Sequence, residues 1–545
     1  MSDAQAESTF KKSLARRRST SRSRTRRSTS RSRSRSRGRR QTSRSPARET
    51  KTTAMPSPGR STRKRTAKVA DEEPPTAAEK QNNHHKDNHI HPETPTRHSA
   101  RLQAKHDEEE GIHVLKPTLE EVGLSTYSTA RVGKTKELDF GGWIGASCMT
   151  LSLPVAVFYL TFMCQKDSCT VMKLAKCPSK LSTYFDLNAT LIFFGWMAFQ
   201  VLLAVLPIGS VVEGVVLKSG HRLSYRCNGF ISLLLSCAAF AGLVYMKKPV
   251  VYVYDHFIAL LTSAVIFSIV ASLCLYIRAR RARNADLSPA GNSGYLIYDF
   301  FMGHELNPRI GSLDLKFFCE LRPGLIGWVM LNFCFIARDC MDNKFPSYPL
   351  LLVSAFHLIY VMDALWFEDS ILTTMDITHE GFGFMLCFGD IAWVPFLYTL
   401  STRFLLEHPQ MLPTWALAAI AFLNLLGYII FRGSNSQKNE FRKNPFDPAL
   451  SHLESIPTSA GKRLLVSGWW GLCRHPNYLG DIIMAIAWSI PCGFKFALPH
   501  FYAVYLVMLL VSRAYRDDHF NKKKYGHAWD RYRQRVPYMI IPKIF

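Results

Sequence analysis

The amino-acid sequence predicts an all-α polytopic membrane protein, with eight to ten helical spans behind a disordered basic tail. Three observations predict it. Residues 1–70 hold 23 Lys/Arg against 3 acidic residues and almost no aromatic or branched apolar side chains. Such a segment cannot bury enough surface to offset chain entropy. Apolar stretches long enough to cross a bilayer recur after Phe140. In a ten-span arrangement the strongly basic connections all fall on one side of the membrane, as the positive-inside rule requires.

The tail comes first. Of the formal net charge of +26 over 545 residues, residues 1–70 supply a surplus of 20. Residues 1–48 are low-complexity Arg/Ser, as in SRSRTRRSTSRSRSRSRGRR at 21–40. Residues 49–110 are polar; the cluster His84, His85, His89 and His91 reads as solvated linker rather than as a metal site. Residues 111–139 can hold a short amphipathic approach to the membrane. We take 1–137 as one disordered nucleoplasmic or cytosolic unit and 138–545 as the membrane domain. The N-terminus lacks a signal-peptide pattern, so insertion is expected to use the internal helices. The 13 cysteines show no CxxC pair or metal-finger spacing. No metal is expected, and most of them read as small buried hydrophobes. Cys164, Cys169 and Cys177 share one short loop, where a lumenal location would permit a disulfide.

Spans are expected near 141–164, 189–212, 228–246, 257–278, 323–338, 348–367, 381–400, 414–431, 479–495 and 497–514. Several are short or interrupted by Gly and Pro, which a large bundle can shield from lipid. The inside connections would then be 213–227 (Lys218, Arg222, Arg226), 279–322 (after Arg278; Arg280, Arg281, Arg283), 432–478 and 515–545. The sequon Asn188-Ala189-Thr190 would be lumenal but too near the membrane for glycosylation.

Polar side chains inside spans are costly and mark function or interhelical glue. His357, Tyr360 and Asp363 recur on roughly one face of 348–367, and Asp390 sits in 381–400. Each fits either a polar seam or a proton-donating site. The stretch 432–478 is basic and aromatic. Lys438, Arg442, Lys443 and Arg474 can hold phosphates, Trp469, Trp470 and Tyr478 can stack on flat rings, and Asn477 both donates and accepts. Arg513, Arg516, Asp517, Asp518, Lys522, Lys523, Lys524, Tyr525 and Tyr532 repeat the pattern. Two such segments on one face suit an anionic dinucleotide; they also suit lipid headgroups and an aromatic belt. Neither GxGxxG nor a Walker A pattern is present.

The runs GYLIYDFFMGHELNPR at 294–309 and LLVSGWWGLCRHPNYLGD at 464–481 resemble, along their full length, the two signatures of the sterol reductase family. The resemblance covers about 138–545. It implies a multi-helix membrane enzyme of the endoplasmic reticulum and inner nuclear membrane. The implied reaction is NADPH-dependent reduction of the C14–C15 double bond in sterol (cholesterol) biosynthesis. By position it assigns cofactor contacts to Lys438, Arg442, Leu465, Trp470, Asn477, Tyr478, Asp517, Asn521, Lys522, Lys523, Lys524, Tyr525 and Tyr532, within the region 432–545. Arg513 is expected to matter for cofactor affinity. Tyr360 and Asp518 (or Asp517) fall where family members place groups near the sterol double bond. Tyr360, relayed through Asp518, is expected to deliver a proton, and the cofactor a hydride. Delta-7 specificity stays open by motif.

The basic tail is similar to that of the lamin-B-receptor branch of the family. This implies partners beyond a bilayer sterol: lamin B, and chromatin or DNA bound through phosphates without sequence preference. Serines among the arginines suit phosphorylation, which would weaken that binding. The branch's N-terminal β-barrel (Tudor) domain has no strand-patterned counterpart before the Arg/Ser segment, so histone-tail reading is not expected. An alternative reading keeps only the tether, with a weak or inactive reductase core.

Overall fold

A computed structural model describes residues 132–165, 168–170, 177–217, 220–459 and 461–545. The tail expectations, from the Arg/Ser run to the histidine cluster, lie outside the described residues, as does Lys218.

Among the described residues, eight helices are long and apolar enough to cross a membrane: Gly142–Met163, Leu181–Val205, Phe257–Ala279, Leu315–Asn343, Tyr348–Trp366, Phe384–Glu407, Thr414–Lys443 and Leu498–Tyr525. Gly229–Tyr245 is apolar but shorter, and the expected span 479–495 is a helix of only 14 residues, Pro476–Ser489. We label the elements used below α1 (Gly142–Met163), α2 (Leu187–Val205), α3 (Gly229–Tyr245) and α4 (Phe257–Ala279). Next come α5 (Leu315–Leu321), α6 (Pro323–Asn343) and α7 (Tyr348–Trp366). The last are α8 (Leu400–Glu407), α9 (Thr414–Lys443), α10 (Pro476–Ser489), α11 (Phe501–Tyr525) and α12 (His527–Arg535).

Four segments differ from expectation for identifiable reasons. Residues 210–227 form an antiparallel hairpin, β1 (Ser210–Val216) with β2 (Arg222–Cys227), rather than the end of a span and a loop. The β-branched run in β1 favours extended backbone once Pro207 has ended α2. Helix α9 runs on to Lys443 and α11 to Tyr525, past the apolar stretches that defined their spans. Charged residues such as Lys, Glu and Arg are good helix formers, so a helix can leave the apolar layer without ending. The span near 381–400 is broken instead, with a π turn at Gly389–Trp393 containing Asp390. That turn packs against α6 so tightly that a Cβ on Gly324 would lie 1.9 Å from the Asp390 carbonyl oxygen.

Large apolar side chains on the outer faces of α1, α2 and α3 stay exposed, among them Leu151, Leu191 and Leu234. This is what lipid-facing helices require. The loop after α1 contains a disulfide between Cys164 and Cys169, while Cys177 is free. Small residues bring helices together elsewhere. A Cβ on Gly480 of α10 would sit 2.5 Å from the Phe431 nitrogen and 2.7 Å from the Gly427 oxygen of α9. Only glycine permits that approach, the usual device of membrane helix pairs.

Between α5 and α6, Arg322 is buried against Glu368 at 3.3 Å and donates to Asn228 Oδ1 at 2.7 Å. Glu368 also accepts from the Gly229 N–H at 2.8 Å. The pair ties the start of α3 to the end of α7. Removing one partner strands a buried charge, so Glu368→Ala should cost about 3–5 kcal/mol and lower the detergent melting temperature. Apolar Glu368→Leu, Arg322→Met together should recover much of that loss.

Candidate active site

The distal ends of α9 and α11 and the loop before α10 converge. Lys438 Nζ of α9 lies over the Trp470 ring, 3.8 Å from its centroid. Trp470 is buried and donates Nε1–H to the Ser434 carbonyl at 2.9 Å. It packs with Phe441 and Leu465 in a small apolar cluster. Arg442, one turn beyond Lys438, is exposed. The Lys462 ammonium is held below its usual range by burial and then by the charges of Lys524 and Arg442. Such a concentration of like charge is unfavourable until an anion enters.

Opposite stand Asn477 and Tyr478, in the first turn of α10. Tyr478 donates its hydroxyl to Asp517 Oδ2 of α11 at 3.4 Å and stacks on His475 at 4.6 Å between ring centroids. Burial, then the charges of Lys438, Arg474 and Arg513, push the His475 imidazole down to about 3, so it stays neutral. The buried Asn477 Oδ1 has no hydrogen-bond partner among the described residues. Arg513 is fixed by Asp376 at 2.7 Å.

Most other predicted contacts have partners outside this group. Lys522 pairs with Asp530, and Lys523 with Glu137 at 2.6 Å. Asn521 is half-buried and Tyr525 lies near Arg442. Tyr532 is buried under Trp529, with ring centroids 4.7 Å apart, in a separate small core with Val466 and Val536. Asp518 accepts from Arg474 at 2.5 Å and from Trp529 Nε1 at 3.1 Å. The C-terminal segment anchors the same loop, because Arg474 and His475 donate their N–H groups to Tyr538 and Met539.

Tyr360 occupies a different environment. Its ring lies 5.3 Å from Trp488, 6.2 Å from Trp328 and 5.9 Å from Phe431. Tyr398 and Tyr502 extend this aromatic wall, 4.6 Å apart. Asp481 of α10 is buried, and its Oδ1 has no hydrogen-bond partner among the described residues. The relay partner expected from sequence, Asp518, is instead held by Arg474, Trp529 and Arg533, none of which borders Tyr360. The neighbours of Tyr360 on its own helix are structural. His357 Nδ1 accepts from Trp328 Nε1 at 3.2 Å, and Asp363 accepts from Tyr428 at 2.9 Å and Arg432 at 3.0 Å. The expected polar face thus divides into two glue residues and one hydroxyl aimed elsewhere.

The model of the ergosterol biosynthesis ERG4/ERG24 family matches residues 122–545. The chain belongs to the ERG4/ERG24 family. It is 54% identical over 410 residues to the delta(14)-sterol reductase LBR of Gallus gallus, covering 75% of this chain and 64% of that protein. It is 47% identical over 417 residues to the delta(14)-sterol reductase TM7SF2 of Mus musculus, 76% of this chain and 100% of the relative. It is 41% identical to the delta(14)-sterol reductase erg24 of Schizosaccharomyces pombe over 416 residues, 75% of this chain and 97% of the relative. Both signature runs lie inside the matched ERG4/ERG24 region. Two residues of this ERG4/ERG24 chain escaped the sequence reading, Lys462 and Asp481. Asp481 closes the second signature run, but nothing in one dimension shows that its carboxyl is buried.

Proposed function

We propose that the chain is a delta-14 sterol reductase that uses NADPH. The observation that carries the reading is the junction of a cation-rich aromatic cluster with a buried tyrosine, joined by one helix. On α10, Asn477 and Tyr478 belong to the first, and Trp488 packs against Tyr360 in the second. The relatives' names support the substrate class.

The residues fit an anionic dinucleotide. Lys438, Arg442, Lys462 and Lys524 supply charge for phosphates. Asn477 offers a buried acceptor without a partner, and Tyr478 offers a flat face. Bound NADPH would supply a hydride. The chain's own part is to position that donor and provide a proton. The wall of Trp328, Tyr360, Tyr398, Trp488 and Tyr502 suits a flat apolar ring system. Protonation of one alkene carbon by the Tyr360 hydroxyl would leave the neighbouring carbon cationic and open to hydride. The test is incubation of purified protein with a delta-14 sterol and NADPH in detergent. The expected result is loss of the double bond with matching NADPH oxidation; delta-7 sterols as the preferred substrate would overturn the assignment.

The tail supports a second, compatible reading as a nuclear-envelope tether to chromatin and lamin B, in endoplasmic reticulum and inner nuclear membrane. Its surplus of 20 positive charges in residues 1–70 favours DNA phosphates. Affinity of the full chain for duplex DNA should fall steeply with salt, by a slope of about −0.9 per phosphate neutralised. A flat salt series would remove this reading.

A further inference from the structure

We propose that the protein holds the phosphodiester group of an anionic phospholipid in a cavity beside the hairpin that joins α2 to α3. The cavity measures about 80 Å³ and is lined by Arg226, Arg309 and Arg322, with Val205 and Val211 on its apolar side. A water-sized group needs roughly 10–15 Å³ of such space, so a phosphate, about five such groups in size, fits.

The three arginines are unequally engaged. Arg322 is 1% exposed, and its Nε–H has no hydrogen-bond partner among the described residues. A buried donor left unpaired is costly. Arg226 is half-buried, and its guanidinium has no hydrogen bond or ion pair among the described residues; only its carbonyl is used, accepting from Arg322 at 3.3 Å. Arg309 is held in place, donating to Asp314 at 3.2 Å and to the Ser224 carbonyl at 2.8 Å. Charge then sets the class of anion. Asp314 offsets Arg309 and Glu368 offsets Arg322, which leaves Arg226 uncompensated. A single surplus guanidinium matches a singly charged phosphodiester.

Position selects the source. Helix α2 ends at Val205 and α3 begins at Gly229, so the cavity lies where two apolar helices end. Val205, Ile208 and Val211 stay exposed there, as lipid contact requires. The hairpin is one of the basic connections, and basic pockets between helices on that side take anionic headgroups. The bound anion would complete the Arg322 network that ties α3 to α7, so it should stabilise the fold. Nothing in this site depends on the reductase reading.

The test titrates the detergent-purified full chain with dioleoyl phosphatidylglycerol, dioleoyl phosphatidylcholine or inorganic phosphate. Native mass spectrometry reads bound lipid, and a melting curve reads stability. Phosphatidylglycerol should bind about fivefold tighter than phosphatidylcholine, the worth of one basic residue at an anionic surface, and should raise the melting temperature. Arg226→Gln should remove that advantage, and Arg226→Lys should keep most of it. Because the Arg226 side chain has no partner to lose, the Gln variant should melt with the unmodified protein in phosphatidylcholine. Arg222→Gln, an exposed change on the same strand outside the cavity, should stay within about twofold. Equal affinity of the unmodified protein for the two lipids would overturn the site without any variant. Equal losses in Arg226→Gln and Arg222→Gln would reduce it to general surface attraction. Displacement of phosphatidylglycerol by equimolar inorganic phosphate would overturn the lipid assignment in favour of free phosphate.

Discussion

Replacing Tyr360 by Phe should lower kcat for sterol reduction by about 100- to 10,000-fold, the usual worth of a positioned proton donor. NADPH affinity should stay unchanged. The substitution removes one oxygen from a ring that is packed on three sides by Trp328, Trp488 and Phe431. The ring itself keeps its contacts, so the fold should tolerate the change. The loss should lie in kcat rather than KM, because the hydroxyl acts on the developing cation and not on the sterol's apolar surface. Steady-state kinetics with a delta-14 sterol decide it. A Phe variant with full turnover would move the proton donor elsewhere. His357 is a poor substitute, since its Nδ1 already accepts from Trp328 and it is buried.

Lys438→Ala should weaken NADPH binding by about 2–3 kcal/mol, roughly 30- to 150-fold, as expected for losing one partner of a largely desolvated charge pair. The side chain lies against the Trp470 face and shares its surroundings with Arg442 and Asp517. Lys438→Arg should retain part of the affinity, since it keeps the charge and the stacking but not the compact ammonium. Calorimetric titration of NADPH into the detergent-solubilised protein measures both. An unchanged Kd for the Ala variant would confine Lys438 to a packing role on Trp470.

The cofactor-type cluster was more legible in the sequence than the proton site. Lys438, Arg442, Trp470, Asn477 and Tyr478 stand in two short basic, aromatic runs, and charge with stacking chemistry is readable locally. The surroundings of Tyr360 were not readable. Trp488 and Tyr360 lie on helices far apart in sequence, and Tyr360 looked like one more polar residue in an apolar segment. Asp518 followed the last apolar run and invited the role, but Arg474 and Trp529 hold it at the C-terminal segment. Likewise His357 and Asp363 carried the same signal as Tyr360, and only their satisfied hydrogen bonds distinguish them.

By itself the sequence determined the division between a basic tail and an apolar helical core, the approximate spans and the family. These follow from composition and from runs of neighbours, which need no folding to be read. The tertiary structure alone decided the rest: the pairing of β1 with β2, the extension of α9 and α11 beyond their apolar segments, and the packing of Tyr360 against Trp488. Hydropathy records where a segment can sit in lipid but not where its hydrogen-bonded helix stops. Side-chain pairing across a bundle depends on helix approach and rotation, which here are set by contacts such as Gly427 against Gly480 and leave no periodic trace along the chain.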